Sequence, residues 1–290
     1  MMLAIFMTLG LYAAPKSNLP HLEWGVDKIT AYQHEPVTVT LYLWAPEANV
    51  RDIREIQPGK LDKGEFSFIS HADFDRRPMR KVLDGREWIV YPVDSYIVTL
   101  DRPGKHRLSG GRYAVEASVP TIVEDPFWGK MQAYKSETTE IGVSPVQFDI
   151  KSLPANDDDS FSGAVGDFQV EVTVPPGDIY VDEEALAVIT VKGEGWINDH
   201  ILPEYREAFG SGTKLKSFSE SRNKYLENGK MVSEVQMECT FIPTLLKGAV
   251  IGPVKIRYFN PATNSYETAE SNEVVVKVRS VADKAPAIDI

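Results

Sequence analysis

Phe161-Ser-Gly163-Ala-Val-Gly166-Asp-Phe168, running into the alternating segment Gln169-Val170-Glu171-Val172-Thr173-Val174, divides the chain into two stretches that carry the same order of signals. Two glycines between two aromatic anchors predict a turn held in a fixed conformation. The acidic run Asp157-Asp158-Asp159 precedes it. Together they read as an acidic linker and elbow over residues 155–168.

Upstream, Val37, Val39, Leu41 and Leu43 alternate with other residues, as in a strand with one buried face. Asp84-Gly85 between apolar runs is a hairpin signal, because both turn positions favour positive φ. Tyr113-Ala-Val115-Glu-Ala117-Ser-Val119 and Val146-Gln-Phe148-Asp-Ile150 read as further strands. Downstream the order recurs. Leu186-Ala-Val188-Ile-Thr-Val191 is a strand, Asn228-Gly229 repeats the hairpin signal, Tyr266-Glu-Thr268 echoes Tyr134-Lys-Ser136, and Val274-Val-Val276-Lys-Val278 closes the series. A helical turn interrupted by Pro203 is expected between Asp199 and Phe209.

Short alternating strands, turn residues between them and almost no amphipathic helix define an all-β chain of two tandem immunoglobulin-like β-sandwich domains joined by a short elbow. The first domain is read over 22–154 and the second over 169–279, with 280–290 as a frayed tail.

At 290 residues, with 43% hydrophobic and 25% charged residues, the chain has the composition of a folded protein. Its formal net charge of −11 argues against a nucleic-acid partner, which needs a basic face. The single cysteine, Cys239, lies in the alternating run Val235-Gln-Met237-Glu-Cys239-Thr-Phe241, a buried strand position, and permits no intramolecular disulfide. Residues 1–14 are apolar and end in small residues, which reads as a secretory signal without its usual basic start. No later apolar run is long enough to span a bilayer.

No Gly-x-Ser-x-Gly elbow, P-loop, His-Glu-x-x-His or cysteine-pair motif occurs, so a non-enzymatic role is expected. His71-x-Asp73-x-Asp75 would place three candidate ligands on one face of a strand, yet solvated loop charges are the commoner outcome. Three adjacent aspartates supply too few oxygens for calcium. Neither a metal nor a cofactor is therefore expected. Arg76, Arg77, Arg80 and Lys81 form a basic cluster that reads as a solvated face or a contact for an acidic partner. Phe127 and Trp128, between Pro126 and Gly129, lie in a connection between strands, where they either form a recognition patch or fold back over the open end of the sandwich. Trp196 in Gly193-Glu-Gly195-Trp196 poses the same choice.

The 161–168 segment, Gly193-Glu-Gly195 with Pro203 after it, Phe241-Ile-Pro243 with Gly248, and Tyr258-Phe259-Asn-Pro261 with Tyr266-Glu-Thr268 resemble the BatD family of bacterial aerotolerance-operon proteins. Asp125-Pro-Phe-Trp128 followed by Ser144-Pro-Val146 and Leu153-Pro154 resembles the end of that family's first domain. The likeness covers nearly all of the chain after the leader and is strongest from Leu153 to Val278. It implies an exported, periplasmic or envelope-facing protein acting with membrane-bound von Willebrand factor A-type proteins, tetratricopeptide-repeat proteins and a MoxR-type ATPase. No family site residues carry over. Longer members continue into a C-terminal membrane segment, whereas this sequence stops at Ile290, and no direct membrane span is expected within this chain. The resulting expectation is an envelope scaffold that docks other proteins. The rival is a secreted or surface glycan-binding module acting through Phe127, Trp128 or Trp196.

Overall fold

A computed structural model of the protein describes residues 20–283 apart from 48, 63–65, 71–73, 157–159, 199–204 and 247. The leader, His71, Asp73, the aspartate triplet, most of the expected helical turn and the end of the tail lie outside the described residues. The chain divides into two compact units, Met1–Ser152 and Leu153–Ile290. Both are all-β sandwiches of immunoglobulin-like character.

Among the described residues the first unit holds twelve strands: β1 (His21–Val26), β2 (Thr30–Tyr32), β3 (Val37–Ala45), β4 (Val50–Gln57), β5 (Lys60–Leu61), β6 (Phe66–Ser70), β7 (Met79–Leu83), β8 (Arg86–Leu100), β9 (Gly104–Ser109), β10 (Arg112–Asp125), β11 (Gly129–Ser144) and β12 (Val146–Lys151). One sheet runs β4-β10-β11-β1-β3-β8-β6, with β7 also on β8, and faces a second sheet in the order β2-β12-β9-β5. The alternation read in β3 places Val37, Val39, Leu41 and Leu43 in the core. There Val37 and Val39 meet Phe148 and Ile150 of β12. On the outer face, Trp44 and Trp88 form a smaller cluster with Val90. His21 stacks 6.0 Å from the Trp44 ring.

The second unit holds β13 (Phe161–Thr173), β14 (Ile179–Tyr180), β15 (Ala185–Trp196), β16 (Thr213–Glu227), β17 (Lys230–Pro243), β18 (Ala249–Ile251), β19 (Lys255–Asn260), β20 (Ser265–Glu270), β21 (Val274–Val276) and β22 (Val278–Arg279). Its main sheet runs β16-β17-β15-β13-β19-β20, while β18 pairs β21 and β14 pairs β22. Val235, Met237, Cys239 and Phe241 all face the core, as their alternation predicts. Both hairpin signals are realised. Asp84 and Gly85 take φ of 51° and 76°, and Asn228 and Gly229 take 53° and 77°.

The elbow at Phe161–Phe168 is corrected: this segment is the first part of strand β13, not a turn. Its glycines serve the sheet. Gly163, at φ 77°, absorbs a bulge where the register of β13 on β19 shifts between Phe161 and Ala164. Gly166 pairs with Gly195, and a Cβ on Gly166 would lie 2.3 Å from the Glu194 carbonyl. A Cβ on Gly193 would lie 2.0 Å from the Asp167 carbonyl and 2.5 Å from the Phe168 ring. Phe168, only 2% exposed, thus packs against a glycine-lined crossing that side chains would hold apart. Pro154 belongs with the second unit, since its carbonyl accepts the Tyr266 hydroxyl at 2.8 Å.

Candidate interaction surface

β10 and β11 pair in continuous antiparallel register from Arg112↔Gly142 to Asp125↔Gly129. Their support is confined to the base. β4 pairs with β10 only between Arg112 and Ala117, and β1 meets β11 only at Val143 and Ser144. Asn49 fixes the last supported point: its carbonyl accepts the Ser118 N–H at 2.9 Å and its side-chain amide donates to the Ser118 carbonyl at 3.0 Å. Beyond this the hairpin continues as a two-stranded arm.

The arm ends in a tightly specified turn. One Asp125 carboxylate oxygen accepts the backbone N–H of Phe127 at 2.8 Å and of Trp128 at 2.9 Å. Pro126 presets the first turn position, and Gly129 at φ 69° supplies the left-handed residue that returns the chain. Side chains at the two central positions must therefore project away from the ribbon. Phe127 is 91% exposed and Trp128 78%.

Along the arm, Pro120, Tyr134 and Ile122 share one face, and Val123 and Met131 share the other, because directly paired residues lie on the same side. Ile122, Val123, Met131 and Tyr134 are all exposed. These four were missed in the sequence. The available signal was the adjacent pair Ile122-Val123, which puts one apolar side chain on each face and so breaks the alternation of a half-buried strand. Where the arm meets β4, a polar cleft of about 440 Å3 opens between Asn49, Arg51, Ser118, Gln132 and Tyr134.

Of the three aromatics expected to make contacts, the structure brings Phe127 and Trp128 together at the tip. They do not fold back over the sandwich. Trp196 belongs to the other unit, at the end of β15 opposite Val165, and is half-buried with the Lys224 ammonium 5.5 Å from its ring centroid.

The basic cluster is engaged within its own chain. Arg77 forks onto Asp75 at 2.9 and 2.7 Å, and that pairing draws the Asp75 carboxyl down to about 2. Arg80 pairs with Glu87 at 2.8 Å, Arg76 donates to the Val93 carbonyl at 3.3 Å, and the Lys81 ammonium lies 5.9 Å from the Trp44 ring. No group of three metal-ligating side chains occurs among the described residues. Burial pushes the Cys239 thiol up to about 11, which suppresses its thiolate. No helix among the described residues is long and apolar enough to cross a membrane.

No family model matches the chain, and no curated protein matches it. Among solved structures it is similar to the full-length major pilin SpaD from Corynebacterium diphtheriae, at 11% identity and a TM-score of 0.27 over 76% of this chain. The match spans 59% of the pilin's length. It is also similar to the C-terminal domain of the Streptococcus agalactiae AgI/II polypeptide BspA, at 6% identity and a TM-score of 0.20 over 88% of this chain and 99% of that domain.

Proposed function

We propose that the protein is a non-enzymatic interaction module that docks other proteins through the tip of the β10–β11 arm. One observation carries this reading: Phe127 and Trp128 stand exposed side by side on a turn whose backbone is held by Asp125. Large rings on a fixed turn lose little entropy when they are covered, which is the property of an interface anchor. In a free chain, exposing two such rings costs solvation free energy that a partner would recover. The likeness to the BatD family names the partner class: envelope proteins of the von Willebrand factor A and tetratricopeptide-repeat types, met by an exported chain in the periplasm or cell envelope.

Crosslinking and affinity capture of the tagged protein from its own envelope tests this. Wild type should retain von Willebrand factor A-type proteins, and a Phe127→Ala/Trp128→Ala variant should lose them while unfolding at the same temperature. Equal retention by both proteins refutes the tip as the contact.

The polar cleft beside Tyr134 favours a second reading, glycan binding. Asn49, Arg51 and Gln132 offer amide and guanidinium groups beside an aromatic ring, the combination that sugar hydroxyls and ring faces use. Polysaccharide retention that is lost in Tyr134→Ala and kept in the tip variant would decide for it.

A further inference from the structure

Inside the first unit a cleft of about 280 Å3 lies between the two sheets, and its chemistry specifies a ligand class. Its walls are Trp24, Val39, Val98 and Leu108, and its rim carries Tyr96, Tyr113 and Glu55. The floor is apolar. A Cβ on Gly59 would lie 2.7 Å from the Ser109 carbonyl oxygen, so the chain passes close there.

The rim is a set of acceptors. Tyr113 donates its hydroxyl proton to Glu55 at 3.0 Å, and Tyr96 donates its own to Asp94. Burial first, and then these carboxylates, push both phenols far above their ordinary range, so neither proton leaves. A tyrosine whose proton is committed presents only oxygen lone pairs to a third group, as an ionised carboxylate does. The Glu55 carboxylate and two phenol oxygens therefore line the cleft beside three aromatic rings, with Asp94 behind Tyr96. The nearby cation, Arg76, is already turned to the Val93 carbonyl and the face of Phe74, 4.6 Å from the ring centroid. An anionic ligand would face the Glu55 carboxylate of this rim. A cation that donates hydrogen bonds would find acceptors and ring faces together.

We propose that this cleft binds a short alkylammonium group, with its head at Glu55 and the Tyr96 and Tyr113 oxygens and its carbon chain along Val98 and Leu108. The group is either a free primary amine or the side chain of a lysine residue. The space accommodates a short chain and its head group and is at the small end of ligand cavities.

Methyl NMR of the full chain, observing Val39, Val98 and Leu108 during titration with n-butylammonium chloride, tests the proposal. Saturable shifts are expected, while n-butanol over the same range leaves the three residues unmoved. Glu55→Gln, at an exposed position and with an amide oxygen that can still accept from Tyr113, should weaken the ammonium about tenfold. Equal shifts with butanol, an unchanged affinity in Glu55→Gln, or no shift at all would each overturn it. Nα-acetyl-lysine amide separates the sources: binding as strong as butylammonium assigns the site to a lysine side chain, and butylammonium binding alone assigns it to a free amine.

Discussion

Two hairpins of this molecule open with the same turn chemistry and come to opposite ends. In the first unit β11 lies parallel to β1, and its hairpin with β10 turns at Asp125-Pro126; in the second, β19 lies parallel to β13, and its hairpin with β20 turns at Asn260-Pro261. Each acidic or amide side chain caps its own turn. Asp125 accepts from Phe127 and Trp128, and Asn260 accepts from Ala262 at 3.0 Å. Each turn also uses a left-handed residue, Gly129 at φ 69° and Asn264 at φ 53°. The bodies differ. β19 and β20 have 6 residues each and bury Ile256, Tyr258 and Phe259, while the 14 and 16 residues of β10 and β11 run past every supporting strand. Where the compact hairpin has Ala262-Thr263, the arm has Phe127-Trp128. Turn chemistry sets how rigidly a tip is held; neighbouring strands set whether its apolar residues stabilise the fold or remain for a partner.

The largest expected effect separates the two hairpins at their phenylalanines. Phe259 is fully buried, so Phe259→Ala should cost about 3–5 kcal/mol in urea unfolding of the second unit. Phe127→Ala, at a position 91% exposed, should change stability by less than about 0.5 kcal/mol. Comparable losses in both variants would mean that the arm tip is packed in solution, and the contrast would fail.

Much of this division was legible from residues, and its decisive part was not. Alternation in β3 and β17 identified their buried faces, and Asp84-Gly85 and Asn228-Gly229 identified their hairpins, because those signals are local. The glycines of 161–168 misled for a physical reason. A turn and a close crossing of strands both demand the absence of Cβ, and only the distant partners Gly193 and Gly195 distinguish them. Phe127 and Trp128 could be singled out, but their exposure depends on β4 ending its pairing at Ala117 and β1 at Ser144, a fact of topology that no window around the residues contains. The rim of Glu55, Tyr96 and Tyr113 was unreadable likewise, since its members sit on three strands that carry no common motif.

A smaller effect tests whether the arm's rigidity resides in its cap. Asp125→Ala removes the acceptor of two backbone N–H groups and should loosen the tip by about 1 kcal/mol, seen as faster amide exchange between Ile122 and Met131. Exchange in β19 and β20 should not change. Partner capture should weaken although both aromatic rings remain, because the ordering cost moves to the binding step. Undiminished capture by Asp125→Ala would show that the rings act without the fixed turn.

The pH dependence contributed by Glu23 in the first unit and by Glu267 in the second should carry opposite signs, the second the smaller. Burial raises Glu23 of β1 to about 7 from its ordinary 4.5, against the pull of the Trp44 indole N–H and the Lys81 charge. The folded state therefore holds this proton more tightly than the unfolded chain does. Its contribution is complete below pH 4.5 and is lost as pH rises through about 7. Because part of the group stays wet, the loss should be about 1 kcal/mol, absent in Glu23→Gln.

Glu267 of β20 behaves in reverse. The Thr263 hydroxyl at 2.5 Å and the Asn260 amide at 3.0 Å donate to its carboxylate and hold its pKa below the ordinary value. Its contribution is present above the unfolded pKa and is lost as pH falls through the depressed folded value. The residue is partly exposed, so screening limits the effect to roughly a few tenths of a kcal/mol. Thermal unfolding of Glu267→Gln against wild type at neutral and at acidic pH measures it: a small deficit at neutral pH should vanish in acid. A deficit of equal size at both would mean that the donors bind Glu267 as an amide would, through geometry alone, and that charge contributes nothing to closing the compact hairpin.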